Sequence, residues 1–476
     1  MGPEAFRLVD FLKEAKQSIW QILPLNPTDL IHYNSPYHST SAFAGNPLLI
    51  SPELLAQDGL LTKSDINQPP DFPADHVDFP NVVPYKEKLL ARAYERFKQR
   101  QKANHEFADF LEQHSDWLDD FALFITLKAH FHGKMWSEWP VELKDRHPNA
   151  LQSATKEFDD QIRMAKFFQF LFMKQWTTLK NRCNAANVQI LGDIPIYVDY
   201  DSADVWTNPG LFKLDENKKP YVGAGVPPDY FSETGQLWGN PIYRWDVLKE
   251  SGYDWWVRRI GHNLSMFNYV RIDHFRGLVA YWEVPASERT AINGRWIEAP
   301  AKDFLSHLAR KFPCLPIVAE DLGVITPDVR EIMQMFDLPG MKLLLFAFGP
   351  GMPENPYIPH NLVRNCIAYT GTHDNNTVKG WLRTEATPDD KKRLFSYLGR
   401  EVTPDELPRE LIRLVMMSVA NLAIFPMQDL LGLDERGRMN RPAVQEGNWR
   451  WRMLPNQLTP ELTGTLREMT EVYGRA

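Results

Sequence analysis

Cysteine is scarce in this sequence, which contains only Cys183, Cys314 and Cys366 among its 476 residues. An odd number of cysteines, far apart and set in apolar or mixed segments, does not fit the disulfide framework of a small secreted domain. The pattern predicts buried free thiols in a reducing compartment. The first residues also lack the charged and apolar regions of a secretory leader, so we expect a cytoplasmic protein.

Long apolar runs and basic blocks are missing as well. No stretch reaches the roughly 18 apolar residues that a membrane-spanning helix needs. The formal net charge is −8, because 61 acidic residues outnumber 53 Lys and Arg, and no Lys/Arg-rich block interrupts this balance. The composition therefore argues against a membrane or a nucleic acid as a partner and suits a neutral substrate.

Seven short apolar runs have the pattern of buried parallel strands, which are covered on both faces and lack polar alternation. Helical patterns lie between them, and this alternation is typical of an α/β fold with a parallel sheet. We predict a (β/α)8 TIM-type barrel, with residues 1–476 forming one catalytic domain. The predicted strands are Trp20–Leu25, Val188–Ile196, Tyr269–Asp273, Pro316–Asp321, Met341–Phe348, Cys366–Asp374 and Asn421–Asp429.

Two long stretches between the predicted strands are interpreted as insertions into the barrel. Residues 65–187 carry charged helical patterns, at Tyr85–Gln101, Phe107–His132 and Lys156–Ala186, and are predicted to form a helical insertion subdomain. Residues 199–260 are predicted to form a loop-rich insertion over the active site. Within it, Val222–Pro241 is rich in glycine and proline. A long loop inside a compact domain is usually functional, and this one should overhang the site.

Acidic residues close three of the apolar runs. Arg271 and Asp273 lie two residues apart, so on a strand both side chains face the same way, and the guanidinium would keep the carboxylate ionised. Glu320 and Asp374 end two further runs, and the carboxyl ends of barrel strands converge. One acid at a strand end is more often a helix cap or half of a structural ion pair. Three such acids, with His373 beside them, favour a site that cleaves acetals.

Aromatic residues in Gly/Pro-rich segments support a sugar substrate. Trp238 and Trp449 are examples among 15 tryptophans, most of which we expect in the core. The apolar face of a sugar ring stacks on an aromatic ring, while its hydroxyls bind Asn, Asp, His and Arg. The acids of Asp199–Asp204 do not match a calcium loop, which needs glycine at position six and glutamate at twelve. We therefore expect no metal.

The sequence resembles the 4-α-glucanotransferases (amylomaltases, or disproportionating enzymes), a branch of the α-amylase superfamily, from about residue 3 to the C-terminus. The resemblance implies an enzyme that transfers α-1,4-glucan segments between maltooligosaccharides and linear α-glucans, by a retaining double displacement and without a cofactor. It rests on the motifs Trp20–Leu25, Ser35–Tyr37, Ser41–Pro47, Gly192–Ile196, Val222–Pro241, Arg271–Gly277, Ala319–Asp321, Thr372–Asn376, Arg438–Asn440 and Gly447–Trp451.

The same resemblance implies a role for each site residue. Asp273 is expected to be the nucleophile that forms the covalent glycosyl-enzyme, Glu320 the general acid/base and Asp374 the transition-state stabiliser. Retaining chemistry needs one ionised and one protonated carboxyl about 5–5.5 Å apart, so we expect a raised pKa for Glu320. Substrate-binding residues are expected at Arg271, His373, Asp193, Tyr37, Trp238, Gln236 and Asn440.

Two other functions stay open on the sequence. An α-1,4-glucan hydrolase would use the same three acids, and a non-catalytic glycan-binding relative would keep only the sugar contacts. The three acids are present, which speaks against the second alternative. The Val222–Pro241 segment favours transfer over hydrolysis by resemblance. We expect the protein to be a monomer or a weak dimer.

One feature departs from the family pattern. Relatives begin with a further strand ahead of the Gly2–Leu12 helix, so the first barrel strand is expected to be missing and to be encoded upstream of residue 1. Seven strands cannot close an eight-stranded barrel. We therefore expect the strands at Trp20–Leu25 and Asn421–Asp429 to flank an open seam, where backbone groups are unpaired at a cost in stability.

Overall fold

The computed structural model describes residues 1–99, 105–228 and 232–476. The end of the helical pattern predicted at Tyr85–Gln101, and Asp229–Phe231 of the predicted loop, lie outside the described residues. The strands are β1 (Ile19–Gln21), β2 (Gln189–Ile194), β3 (Val222–Val226), β4 (Gln236–Pro241), β5 (Tyr269–Ile272), β6 (Ala280–Pro285), β7 (Arg295–Glu298), β8 (Ile317–Ala319), β9 (Gly340–Leu343), β10 (Cys366–Tyr369) and β11 (Leu422–Ile424).

Seven of these strands form one parallel sheet in the order β1-β2-β5-β8-β9-β10-β11. Neighbouring barrel strands follow one another along the chain with helices between them, which is the connectivity of a (β/α)8 barrel. The predicted fold class is therefore confirmed, and so are the positions of all seven predicted strands. Each strand is shorter than predicted.

The sheet is open between β1 and β11. In the described part of the chain, β1 pairs only with β2, and β11 pairs only with β10. The helix Pro3–Glu14 precedes β1, as predicted. Tyr369 Oη donates a hydrogen bond of 2.9 Å to Gln21 Oε1 across the opening, and Phe11 and Leu466 share one hydrophobic cluster outside it. The seam is thus bridged by side chains and not by backbone pairing.

Helices cover the outside of the parallel sheet. No helix in the described ranges is both long and apolar enough to cross a membrane. The α-helices are α1 (Pro3–Glu14), α2 (Pro52–Gln57), α3 (Lys63–Ile66), α4 (Phe79–Gln99), α5 (His105–Gln113), α6 (Ser115–His130), α7 (Val141–Lys144), α8 (Pro148–Glu157), α9 (Asp159–Ala185), α10 (Ala203–Thr207), α11 (Trp245–Glu250), α12 (Asp254–Met266), α13 (Ala301–Lys311), α14 (Pro327–Met335), α15 (Val378–Thr384), α16 (Pro388–Leu398), α17 (Leu407–Met416), α18 (Met427–Leu430) and α19 (Pro460–Val472).

Six helices, α4 to α9, occupy most of the region predicted to be a helical insertion. The single pattern predicted at Phe107–His132 is two helices, α5 and α6, separated at His114. On α9, Phe172 and Trp176 are buried as their helical spacing predicts, and Trp176 Nε1 donates a 3.1 Å hydrogen bond to Met266 O at the barrel. These helices share one hydrophobic cluster with the barrel. The division into insertions at 65–187 and 199–260 stays a prediction.

The segment Val222–Pro241 was predicted to be a loop, and this prediction is wrong for its two ends. They form β3 and β4, which join β6 and β7 in an antiparallel sheet of order β4-β3-β6-β7. Glycine is a poor strand former, and the glycines masked the strand pattern. Two of them are required by close approach. A Cβ atom at Gly225 would lie 2.5 Å from Gln236 O, and one at Gly223 would lie 3.2 Å from Gly239 Cα.

Gly192 on β2 allows a similarly close approach in the barrel, directly before Asp193. A Cβ atom at this position would lie 2.2 Å from the ring of Phe267, whose side chain is buried. We predict that Gly192→Ala overpacks this contact and destabilises the fold by about 1–3 kcal/mol. Thermal unfolding measures the effect. Gly210→Ala is the control, because no heavy atom lies within 4 Å of its Cβ position. Equal melting temperatures for the two variants would contradict the prediction.

Candidate active site

The polar residues of the predicted site gather at the carboxyl ends of the parallel strands. Arg271 lies within β5 and Asp273 directly follows it. Glu320 directly follows β8, and Asp374 lies in the turn that follows β10. Because parallel strands point the same way, these side chains emerge at one end of the barrel. The structure therefore brings the three predicted acids to one face, as the sequence pattern indicates.

Arg271 connects two carboxylates in the interior. Its Nη1 donates to Asp193 Oδ1 and Oδ2 at 2.8 and 2.6 Å, and its Nη2 donates to Asp273 Oδ1 at 2.8 Å. The Arg271 side chain is 3% exposed, so this guanidinium is charged, desolvated and held by charge-assisted hydrogen bonds. A buried cation is stable only with such partners. The arginine thereby sets the positions of both carboxylates.

Tyr37 joins this ion pair to the turn after β10. Its Oη donates to Asp193 Oδ2 at 2.6 Å and lies 3.0 Å from His373 Nε2. The Tyr37 and His373 rings are stacked, with centroids 5.3 Å apart. Asp193 is 2% exposed and accepts bonds from both Arg271 and Tyr37. Its oxygens are therefore occupied by protein donors.

Glu320 is held by two backbone amides. His274 N donates to Oε2 at 2.8 Å and Leu322 N donates to Oε1 at 2.7 Å. The backbone of His274 is left-handed, with φ of 50°, a conformation that is costly for a residue with a side chain and is often found at functional sites. The His274 ring meets Trp238 edge-on at 4.8 Å. The antiparallel sheet β4-β3-β6-β7, the roof sheet, carries Trp238 on β4. The roof sheet thus contacts His274, whose amide binds Glu320.

Burial separates the protonation states of the two neighbouring acids. Desolvation, followed by the charge of Asp273, raises the pKa of Glu320 to about 8, as we expected. Burial also raises the pKa of Asp273, but Arg271 opposes that shift. The two acids titrate as a pair, and at neutral pH Glu320 keeps the proton while Asp273 keeps its bond to Arg271. Burial lowers the pKa of His274 to about 4, so its ring is neutral.

Asp374 is the most open of the three acids, with its side chain 45% exposed. Asn440 Nδ2 donates to Asp374 Oδ1 at 2.6 Å, and Arg438 Nη2 donates to Asp374 O at 2.9 Å. His373 Nε2 lies 3.4 Å from Asp374 Oδ2. The segment that carries Arg438 and Asn440 therefore closes over this acid. Its side chain nevertheless stays partly open to solvent.

The ten residues predicted for the site form a network of two contact groups, which adjoin where Asp273 is followed by His274. In the second group, Trp238 Nε1 donates to Gln236 Oε1 at 3.2 Å. A cavity of about 1000 Å³ lies along the seam, with Asp193, His373 and Trp449 in its wall, and the three acids Asp273, Glu320 and Asp374 do not line it. The network members are Tyr37, Asp193, Gln236, Trp238, Arg271, Asp273, Glu320, His373, Asp374 and Asn440.

Sequence reasoning gave no role to two further residues of this site. Arg438 binds the backbone of Asp374 and also pairs with Glu385 at 2.8 Å. Trp449 has a left-handed backbone, with φ of 63°, and its ring lies 5.8 Å from Tyr37 and 5.7 Å from His373 between centroids. The Gly-containing loop and the motif Gly447–Trp451 marked Trp449 in the sequence without giving it a role.

The acids of Asp199–Asp204 serve separate structural contacts. Asp199 Oδ1 lies 2.9 Å from His38 Nδ1, Asp201 pairs with Lys128, and Asp204 accepts the backbone N–H of Ala42 at 2.7 Å. The three carboxylates therefore point to three different elements and do not converge. Across the described ranges, no group of three His, Cys, Asp or Glu side chains is arranged to hold a metal ion.

Comparisons with known proteins give one consistent match. A family model described as 4-alpha-glucanotransferase matches residues 1–458. The chain is 45% identical to the 4-alpha-glucanotransferase of Aquifex aeolicus and 46% identical to that of Thermus thermophilus, over 100% of this chain and 95% of each relative. A solved structure of amylomaltase from Streptococcus agalactiae in complex with acarbose superposes with a TM-score of 0.96 at 39% identity, covering 100% of this chain and 95% of that chain.

The raised pKa of Glu320 has a consequence for stability. Because the folded-state pKa of about 8 exceeds the ordinary value of 4.5, the stabilising effect of the bound proton is complete below about pH 4.5 and is lost as the pH rises through about 8. We predict that the melting temperature falls from about pH 5 to about pH 9 more steeply in the parent chain than in Glu320→Gln. The other titrating groups are common to both proteins. Parallel curves would show that Glu320 does not titrate in this window.

Proposed function

The chain belongs to the 4-alpha-glucanotransferase family and has that activity, and we propose that it transfers α-1,4-glucan segments through a covalent glycosyl-enzyme on Asp273. One observation carries this proposal: of two neighbouring acids, Asp273 is bonded to a buried arginine, whereas Glu320 is bonded to two backbone amides. Arg271 binds Asp273, while burial and the charge of Asp273 raise the pKa of Glu320 to about 8. A retaining mechanism needs one ionised and one protonated carboxyl.

The first step breaks the donor's glycosidic bond. The ionised Asp273 attacks the anomeric carbon while Glu320 gives its proton to the departing glycosidic oxygen. The bond between carbon and that oxygen breaks as the bond to Asp273 forms, and the shortened glucan leaves with a new hydroxyl. Positive charge develops on the sugar ring in between. Asp374, with one oxygen held by Asn440, binds ring hydroxyls more strongly in that state and so lowers the barrier.

The second step reverses the first with a new acceptor. A hydroxyl of another glucan loses its proton to Glu320 and attacks the anomeric carbon, and Asp273 leaves as a carboxylate. The number of glycosidic bonds is unchanged, so the enzyme rearranges chain lengths. Water would give hydrolysis instead. The roof that brings Trp238 against His274 supports transfer, since an aromatic surface favours a sugar over water.

Each proposed sugar contact uses a ring face or an amide group of the side chain. Trp238 on the roof and Tyr37 beside His373 offer ring faces for stacking, and Gln236 and Asn440 offer amides for hydroxyls. Asp193 is different, because its oxygens already accept bonds from Arg271 and Tyr37. Its role is to hold those two residues in place.

Maltooligosaccharides and linear α-glucans are the proposed substrates. The amylomaltase of Streptococcus agalactiae, to which this chain is similar, was solved with acarbose. We place the activity in the cytoplasm. The three cysteines are free and two of them are buried, which agrees with a reducing compartment.

Incubation with maltotriose tests the proposed function. Transfer conserves glycosidic bonds, so the products should be glucose and a ladder of longer maltooligosaccharides, with a nearly constant number of reducing ends. Chromatography of the products and a reducing-end assay measure both quantities. Asp273→Ala is the control and should leave maltotriose unchanged while keeping the melting profile of a folded protein. A steady rise in reducing ends without a ladder would identify a hydrolase.

Intermediate trapping tests the assignment of Asp273. In Glu320→Gln an activated maltosyl fluoride can still glycosylate the nucleophile, because fluoride leaves without a proton, but no base then activates the acceptor. We predict a mass increase of one maltosyl group on intact Glu320→Gln, located on Asp273 by peptide mapping. Turnover of maltotriose should fall by about 10²–10⁴-fold. A label on Asp374 would overturn the assignment. The double variant Glu320→Gln/Asp273→Ala is the negative control, because it lacks the proposed nucleophile.

A further inference from the structure

We propose that Asp429 is a positioning residue for the reaction. Its carboxylate holds both ends of the segment Thr370–Val378, which carries His373 and Asp374, and so places Asp374 against the reacting sugar. This inference rests on the function proposed above for Asp374. It concerns a residue that was predicted to end a strand and that instead lies on the short helix α18, after the edge strand β11.

Asp429 accepts two hydrogen bonds, one at each end of the segment Thr370–Val378, and together they form a clamp on this segment. Thr370 Oγ1 donates to Asp429 Oδ2 at 2.6 Å, and Val378 N donates to Asp429 Oδ1 at 2.8 Å. Thr370 is the first residue beyond β10 and Val378 is the first residue of α15. One carboxylate therefore closes the turn between this strand and this helix. Both partners are buried, so water does not compete for the bonds.

The turn between these anchors has hydrogen bonds of its own. Asn375 Oδ1 accepts hydrogen bonds from Thr372 N at 2.9 Å and from Thr372 Oγ1 at 3.0 Å. These bonds shape the turn but do not attach it to the barrel. At its start, Leu345 N donates to Thr370 O at 3.1 Å. Asp429 is the side chain that joins this start to the end of the turn at Val378.

The segment is held from the outside as well, by residues of a different kind. Asn440 and Arg438 bind Asp374 directly, and Asn440 is also a proposed sugar contact. Asp429 is 2% exposed, whereas the Asp374 side chain is 45% exposed. Asp429 can therefore keep its two bonds when a sugar binds at the exposed side of Asp374.

The environment of Asp429 is unusual for an acid. In the part of the chain that the structure describes, the ion pairs do not include Asp429, and burial raises its pKa to about 6. A carboxyl group buried without a cation costs stability. Two short, well-directed hydrogen bonds offset part of that cost, and they act on the ends of a catalytic turn. A displacement of about 1 Å at a catalytic group lowers the rate by about 10²-fold, so a clamp here has a large effect on turnover.

Asp429→Asn in the full-length enzyme is the main test, with Asp429→Ala beside it. Asparagine has nearly the shape of aspartate, but its Nδ2 cannot accept a hydrogen bond. Only one of the two bonds can therefore be accepted as it is in the parent enzyme. The matched control is Asp204→Asn. Asp204 is 4% exposed, burial raises its pKa to about 6, and it binds Ala42 in another loop. Both positions should therefore show a similar change in melting temperature.

The readouts separate positioning from mere stability. For maltotriose disproportionation we expect kcat to fall by about 10–100-fold in Asp429→Asn, with KM within about threefold, because the turn is displaced while the sugar-binding rings remain. Asp204→Asn should keep the parent kcat. Hydrogen exchange measured by mass spectrometry should become faster in peptides covering residues 370–378 in the Asp429 variants and unchanged there in Asp204→Asn.

Two results would overturn the inference. One is a parent-like kcat in folded Asp429→Asn and Asp429→Ala, and the other is exchange at 370–378 that does not differ from the parent. If Asp429→Ala does not fold, the nearly isosteric Asp429→Asn decides. Failure of the proposed function looks different, since the parent enzyme would then give no ladder from maltotriose. The exchange measurement would still decide whether Asp429 holds the turn.

Discussion

The buried guanidinium of Arg271 is the constraint on which the site depends. It is paired in register with Asp193 on the neighbouring strand and binds Asp273 two residues further along its own strand. One cation therefore faces two carboxylates, with Glu320 close enough to interact with both Arg271 and Asp273. If Asp193, Asp273 and Glu320 were all ionised, three negative charges would lie around one positive charge. Burial and the charge of Asp273 raise the pKa of Glu320, which favours the protonated form of this acid.

Local backbone geometry holds Glu320 in its position beside Asp273. Glu320 is oriented by the amide of His274, which only a left-handed turn directly after the β5 strand can present to it. The neutral ring of His274 then packs against Trp238 of the roof sheet. Glu320 is thus linked through His274 to Trp238 of the antiparallel sheet. Desolvation by burial is the largest cause of its raised pKa.

Sequence patterns predicted the parts of this architecture that repeat. Apolar runs located all seven barrel strands, and the acids at their ends located the candidate site, because burial makes each run apolar and strand direction brings the run ends together. Contacts between distant segments produce no such local pattern. The glycines of β3 and β4 concealed two strands whose spacing needs the absence of Cβ atoms. Asp429 was read as the end of an apolar strand, and its helix and partners at Thr370 and Val378 could be seen only in three dimensions.

The open seam clarifies why Tyr37 matters. Asp193, Asp273 and Glu320 belong to β2, β5 and β8, which are joined by continuous ladders, whereas Asp374 follows β10 near the other edge. Tyr37 follows β1, and its hydroxyl touches both Asp193 and His373. It therefore spans the edge where backbone pairing is absent among the described strands. The separation of Asp374 from Asp273 and Glu320 is set through β9 on one side and, across the seam, through side-chain bridges that include Tyr37 and the Tyr369–Gln21 hydrogen bond. The geometry of these three acids consequently depends on side chains at the seam as well as on the sheet.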